Sequence, residues 1–389
     1  EMCIRDRLYN TQNPHGGDVY SAAVTLDFSS NVHPLGTPPG VVEAIRAAAA
    51  QVRQYPDPYC RALTAAIAAH EGVPQPYVLC GGGAAELIYA YCDALRPRLA
   101  AEPAPTFSEY RTAAAHFGAQ LAQYPLRAPD FRPDEGLLAF LKERKPDMLF
   151  LCTPNNPTGV LLPRELLQAA LRICRAQGTR VLLDECFLDF TDAASAKDLL
   201  EAYPNLLILK AFTKNYALAG VRAGYCLTAD RQLLEKMSAC SQPWNVSVPA
   251  QAAALAALRE PDWPAKARPL IAAQRAVLTA DLTALGLTVC PSQANYLLFR
   301  GPAGLDTALL RQKIAIRSCA NYPGLGEGWY RTAVRLPEEN EALLDALRRG
   351  MEESTTFRIR SIPGAESDAA GDDVQRGQES ACRRPLPDL

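Results

Sequence analysis

Lys214 stands thirty residues beyond Asp184, which closes the apolar run Arg180 to Asp184, and eight residues before Arg222. An amine, a strand-end carboxylate and a guanidinium at this spacing are what pyridoxal phosphate requires. The amine forms a Schiff base with the aldehyde, the carboxylate keeps the ring nitrogen protonated, and the guanidinium neutralises the phosphate. Singly, each has a plainer reading: a surface lysine, a helix cap, a solvated arginine. Their company overturns those readings.

Other residues join the set. Gly81, Gly82 and Gly83 run into Ala84, Ala85 and Glu86, joining an apolar strand to a helix whose free N–H groups and positive dipole end suit a phosphate. The run lacks the spacings of dinucleotide and P-loop fingerprints. Asn156 lies in the turn Thr153 to Gly159 and is able to donate to a ring oxygen, although such turns form without a ligand. Tyr110 is placed to stack on a ring, or to pack as an ordinary core aromatic. Asp184 is expected to be buried, and stranding a buried carboxylate typically costs ~3–5 kcal/mol. A pyridinium would satisfy it. Lys214 needs a lowered pKa, which a desolvated cationic pocket supplies.

These residues must be positioned by an alternating pattern. A helix from Pro38 to Arg53 is predicted, with Val42, Ile45 and Ala49 on one face. Apolar strands are predicted at 77–80, 148–152, 180–184, 206–210 and 223–227. Such strands, with helices between them, imply a largely parallel sheet covered on both faces, with ligands beyond the carboxyl ends of the strands. Past residue 245 the pattern changes. Helices at 248–258 and 265–285 are followed by strands at 287–290, 295–299, 315–318 and 330–334 and helices at 305–313 and 337–351, with Arg317, Arg331 and Arg335 on the strands. The organisation expected is an arm over 1–37, a large domain over 38–244, a smaller α/β domain over 245–353 and a disordered or foreign tail over 354–389. Glu1 to Arg7 also reads as foreign to the fold.

Composition narrows the function classes. Forty basic side chains against forty-two acidic ones leave a net charge of −2. No basic field argues for nucleic acid or a membrane surface, so a small-molecule ligand is favoured. No apolar run reaches the length that spans a bilayer. The twelve cysteines are scattered singly, with no Cys-x-x-Cys pair. That pattern fits free thiols in a reducing cytoplasm and indicates no metal site.

From His15 to Glu352 the chain resembles the fold-type I pyridoxal-phosphate enzymes of the aspartate aminotransferase superfamily. The Asn-Asn-Pro-Thr-Gly turn at 155–159, the Asp184 strand and the segment Thr213 to Tyr225 carry the resemblance. It implies an α/β transferase-like fold whose large domain holds a mostly parallel seven-stranded sheet flanked by helices, with a smaller C-terminal α/β domain. It also implies Lys214 as the Schiff-base lysine, Asp184 on the ring nitrogen, Asn156 on the ring oxygen and Tyr110 on the ring face. Thr213, Arg222 and the Gly83–Ala84 backbone are implied on the cofactor phosphate. Tyr55 would reach the cofactor phosphate of a neighbouring subunit, which predicts a homodimer.

Within the superfamily the chain resembles the histidinol-phosphate aminotransferase group. Three segments, His15 to Gly36, Asp184 to Phe190 and Ile316 to Arg335, are similar to the threonine-phosphate decarboxylases of cobalamin synthesis. That resemblance implies Arg331 on a substrate carboxylate, and His15, Asn31 and Arg317 around a substrate phosphate. Phe187 stands where the aminotransferases usually carry a tyrosine. Ala211 and Ala85 replace positions where relatives often have polar side chains, so weaker retention of the cofactor is expected. The alternatives are decarboxylation of a phosphorylated amino acid, transamination of histidinol phosphate or a related amino acid, and a non-catalytic cofactor-binding regulatory module. The intact lysine, acid and arginine disfavour the last.

Overall fold

The computed structural model describes residues 15–360, with side chains to Met351. The foreign start expected at 1–7, and the tail beyond Arg360, lie outside the described residues. The last helix, Pro337–Arg360, carries the chain past the expected start of that tail. The arm contributes a short strand, β1 (Leu26–Asp27). The strands β2 (Val78–Gly81), β3 (Leu99–Ala104), β4 (Gln120–Pro125), β5 (Met148–Cys152), β6 (Arg180–Asp184), β7 (Leu206–Ala211) and β8 (Gly224–Leu227) follow. They form one seven-stranded sheet in the order β2-β8-β7-β6-β5-β3-β4. β8 alone runs against its neighbours. The mostly parallel sheet is the expected one.

Side chains alternate across a strand, so a run that is apolar throughout must be covered twice. Phe150, Leu182, Leu207 and Leu209 enter one core with Ile88, Tyr91 and Met237. Their neighbours Leu149, Leu151, Val181, Leu183 and Ile208 enter a second core with Leu63, Ile67, Leu171 and Cys174. The helix Val248–Ala257 belongs to this second core and packs on the helix Pro39–Ala48. The buried face of Pro39–Ala48 is Val41 and Ala48, with Ile45 beside them, where Val42 and Ala49 were expected. Val41 and Val42 are equally apolar, and only the docking partner decides which turns inward. The single helix expected over 265–285 is two, Trp263–Lys266 and Arg268–Ala284.

The C-terminal strands are β9 (Thr288–Val289), β10 (Tyr296–Arg300), β11 (Ile314–Ala315), β12 (Arg317–Ser318) and β13 (Trp329–Ala333). Four make an antiparallel sheet in the order β12-β13-β10-β9, while β11 pairs in parallel with β1. The arm is thereby stitched to the C-terminal half, and the Phe28 carbonyl accepts from Ala333 N–H at 2.9 Å. The first core continues from the large sheet into this unit through Tyr296, Phe299, Leu309 and Leu343.

One buried polar network braces the second core. Glu71 accepts from Lys210 and Lys197 at 2.9 Å each and from the Tyr225 hydroxyl at 2.5 Å. Burial alone would raise its pKa, but Lys210, Tyr225 and Lys197 outweigh that and hold it at about 2. This stabilisation is present above the ordinary value of 4.5 and is lost as pH falls toward 2. Glu71→Gln removes the nearer charge partner of buried Lys210, leaving only the longer pair with Asp189 at 3.6 Å, and is expected to destabilise the fold by up to ~3–5 kcal/mol in a denaturant titration at neutral pH.

Candidate active site

The parallel strands deliver their following loops to one edge of the sheet. β2 ends in the glycine run, β5 in the turn that carries Asn156, β6 in Asp184, and β7 in the short helix Phe212–Asn215 that holds Lys214. Because β8 is reversed, its start lies at this same edge, with Gly224 beside both Gly81 and Ala211. Arg222, two residues before β8 begins, therefore joins the group. Eleven of the predicted residues line one cavity of about 460 Å³: His15, Asn31, Ala84, Tyr110, Asn156, Asp184, Thr213, Lys214, Arg222, Arg317 and Arg331. Ala85, Ala211 and Phe187 line it too.

Gly83 lies just behind the wall. Its φ is +100°, and a Cβ there would meet Arg222 Nη2 at 2.7 Å. The guanidinium is thus pressed against the N-terminus of the helix Ala84–Leu95, which glycine alone permits. Asp184 is 5% exposed and accepts from the Tyr110 hydroxyl at 2.6 Å and from Cys186 N–H at 2.9 Å. Burial pushes its pKa up against those bonds and the nearby Lys214 charge. Glu185, the next residue, points to the other side and accepts from Ser195 Oγ and Ala196 N–H. Tyr110 is fully buried, with its ring stacked on Phe150 at 5.2 Å.

Burial, then the charges of Arg331 and Arg222, lower the Lys214 pKa to about 8. Its amine lies 5.8 Å from the centre of the Phe187 ring, which packs edge-on against Tyr296. Arg331 donates to Asn156 Oδ1 and, at 2.7 Å, to the Ser29 carbonyl, while its Nε is buried without a partner. Asn31 Oδ1 is likewise buried and unpartnered. Arg317 and Arg331 stand directly opposite each other across β12 and β13. Arg335 instead pairs with Glu339 at 2.6 Å.

The reading of the sequence passed over Glu109, which lines the cavity and bonds to His15 Nε2 at 2.9 Å. It also passed over Asn155, whose amide donates to the Pro105 carbonyl at 2.9 Å and accepts from Thr106 Oγ1 at 2.7 Å. No spacing rule links these partners, which meet only in the folded chain. Tyr55 is not brought to the cavity. It is 79% exposed, and its ring lies tilted against Trp244 with centroids 4.6 Å apart. Among the described residues no helix is long and apolar enough to cross a membrane, and no group of His, Cys, Asp and Glu is arranged to hold a metal.

An α/β sheet with a half-buried lysine, a buried acid and three arginines around one cavity at its edge fits the class of cofactor-dependent amino-acid enzymes. The family model for aminotransferase class I and II matches residues 23–347, and the chain belongs to that family. It is 38% identical to a threonine-phosphate decarboxylase of Salmonella typhimurium over 88% of this chain and 97% of that protein. It is 35% identical to a histidinol-phosphate aminotransferase of Desulfitobacterium hafniense over 83% and 91%. The histidinol-phosphate aminotransferase of Sinorhizobium meliloti, solved in complex with pyridoxal 5′-phosphate, superposes with a TM-score of 0.76 at 25% identity. That match covers 85% of this chain and 92% of that one.

Pyridoxal 5′-phosphate is the cofactor of this family, and the residues present fit it. The Gly83–Arg222 approach leaves a cradle that a Cβ would fill, and Asp184 is a buried acid with no cation bonded to it. An amine with a pKa of about 8 is only about one-tenth neutral at pH 7. Loading of cofactor onto the apoprotein, followed by visible absorbance, is therefore expected to quicken with pH and level off above about 8, and Lys214→Ala should give none of that absorbance. An ordinary lysine would keep accelerating past pH 10. Ala211 precedes the Lys214 helix without a side-chain cap. Ala211→Ser adds a hydroxyl there and is expected to slow cofactor loss on dialysis.

Proposed function

We propose that the chain decarboxylates O-phospho-L-threonine to (R)-1-aminopropan-2-yl phosphate, the linker of the cobalamin nucleotide loop. The opposed pair Arg317 and Arg331 carries this reading. Like charges directly across two strands repel, and holding both out of water adds to the cost. Both are less than a tenth exposed, in the cavity that holds Lys214. A ligand with two anionic ends relieves that cost. The similarity to a threonine-phosphate decarboxylase over nearly the whole chain supports the same substrate.

In this reading Lys214 carries the cofactor, Asp184 faces its ring nitrogen, Asn156 its ring oxygen, and Tyr110 lies against the ring. Thr213, Arg222 and the backbone at Gly83 and Ala84 hold its phosphate. Tyr55, left exposed on its own subunit, contributes to the partner's site in a homodimer. Arg331 clamps the substrate carboxylate, while His15, Asn31 and Arg317 grip its phosphate. When bound, the cofactor supplies the electron sink for whichever bond at the substrate α-carbon is aligned with its ring. Holding the substrate at both ends fixes that alignment. Lys214, neutral in part near pH 8, is placed to move the proton.

Transamination of histidinol phosphate, with 2-oxoglutarate as acceptor, is the second reading, supported by the aminotransferase relatives. The two separate cleanly. Incubated with phosphothreonine and no keto acid, the holoenzyme is expected to release carbon dioxide continuously and form the amine. Product that appears only when 2-oxoglutarate is supplied would establish transamination instead. Bound cofactor without either reaction would point to the regulatory module.

A further inference from the structure

Three consecutive residues of the helix Ser108–His116 reach three different parts of the molecule. Successive helical side chains fan out by about 100°, and here each direction meets a residue at the cavity or one that bonds to it. Glu109 bonds His15 Nε2 on the N-terminal arm at 2.9 Å. Tyr110 bonds Asp184 at the end of β6 at 2.6 Å. Arg111 Nη2 donates to the Asn321 carbonyl at 3.2 Å, and Asn321 Oδ1 in turn accepts from Arg317 Nη2 at 2.9 Å.

We infer that Glu109 and Arg111 are positioning residues which set the substrate's phosphate grip at a fixed distance from Asp184. The inference rests on the reading of the substrate as a phosphorylated amino acid, since His15 and Arg317 are the grip. Neither residue is a surface ornament. The Glu109 side chain is 15% exposed, and a carboxylate beside an anion subsite is a liability unless it is spent on a partner. The hydrogen bond from His15 lowers its pKa and keeps it ionised. It fixes the imidazole of a residue that otherwise sits in a loop, while the Phe107 ring lies 6.0 Å from that imidazole. Arg111 acts one step further out. It ties down the backbone at Asn321, and Asn321 orients the Arg317 fork, which also lies over the Tyr322 ring at 5.5 Å. Because both ties leave the same helical turn as Tyr110, the ring end and the phosphate end of the site are gauged by one rigid element.

The test uses holoenzyme of the wild type, Glu109→Ala, Arg111→Ala and Arg111→Lys. Calorimetry would follow the binding of inorganic phosphate, and steady-state kinetics would use phosphothreonine and threonine. Loss of one charged hydrogen bond corresponds to roughly a tenfold change. The two alanine variants are expected to bind phosphate about tenfold more weakly and to raise KM for phosphothreonine far more than they lower kcat, with cofactor content retained. KM for threonine, which lacks the gripped group, should move little, and Arg111→Lys, which can still donate to Asn321, should recover part of the loss. Equal losses for both substrates, or phosphate affinity that stays at the wild-type value in both alanine variants, would overturn the inference alone. A wild type that binds neither phosphate nor phosphothreonine would overturn the substrate reading and the inference with it.

Discussion

Four cationic groups, Lys214, Arg222, Arg317 and Arg331, line one cavity with Asp184 among them; Arg317 and Arg331 are buried, Lys214 is half-buried and Arg222 is exposed. Mutual repulsion and lost hydration both oppose this arrangement, so the fold must hold each group from a separate support. Lys214 is fixed by the short helix after β7, Arg222 by the approach to β8, and the two remaining arginines by the antiparallel pair β12 and β13. The partners that steady them are mostly neutral: the Ser29 carbonyl and Asn156 for Arg331, Asn321 for Arg317, and the Ala219 carbonyl for Arg222. Oriented neutral dipoles hold the charges without cancelling them, which preserves their pull on an anion. Where the chain cancels the charge of a buried lysine outright, as at Glu71 with Lys210, the network lies away from this cavity.

The antiparallel strand β8 follows from the same constraint. Were β8 parallel, its start would lie at the far edge of the sheet and Arg222 with it. Reversal brings Arg222 to the carboxyl-end rim, where Gly83 lets it close against the helix N-terminus. Glycine at 83 and reversal at 224 thus bring one guanidinium to one helix N-terminus.

Much of this was legible in the sequence because it is local. β5, β6 and β7 are mostly apolar, and each has its chemical residue at its last position or within four residues of its end. β3 and β4 escaped notice for the opposite reason. One is mostly small residues with Glu102 and Pro103, and the other has exposed polar positions, so neither carries an apolar run or clean alternation. The docking of Val41 over Val42 and the joining of β1 to β11 depend on surfaces far away in sequence. So do the partners of Glu109 and Arg111. Residue types at short spacing announced Asp184, Lys214 and Arg222, whereas the contacts of Glu109 and Arg111 with His15 and Asn321 are long-range.

The cavity also couples its two ends electrostatically. After burial, the charge of Arg331 is the largest influence lowering the Lys214 pKa. A carboxylate bound to Arg331 screens that charge, and the amine then holds its proton more tightly. Lys214 is therefore a weaker base and a readier nucleophile in the empty site, and a more basic group once an amino acid is in place. Such a change would suit the proposed role of Lys214, which is to hold the cofactor in the empty site and manage a proton once the substrate is bound. Under the proposed reading, the reaction would be selected by where Arg331 holds the carboxylate and by the absence of a hydroxyl at Phe187, which lines the same cavity.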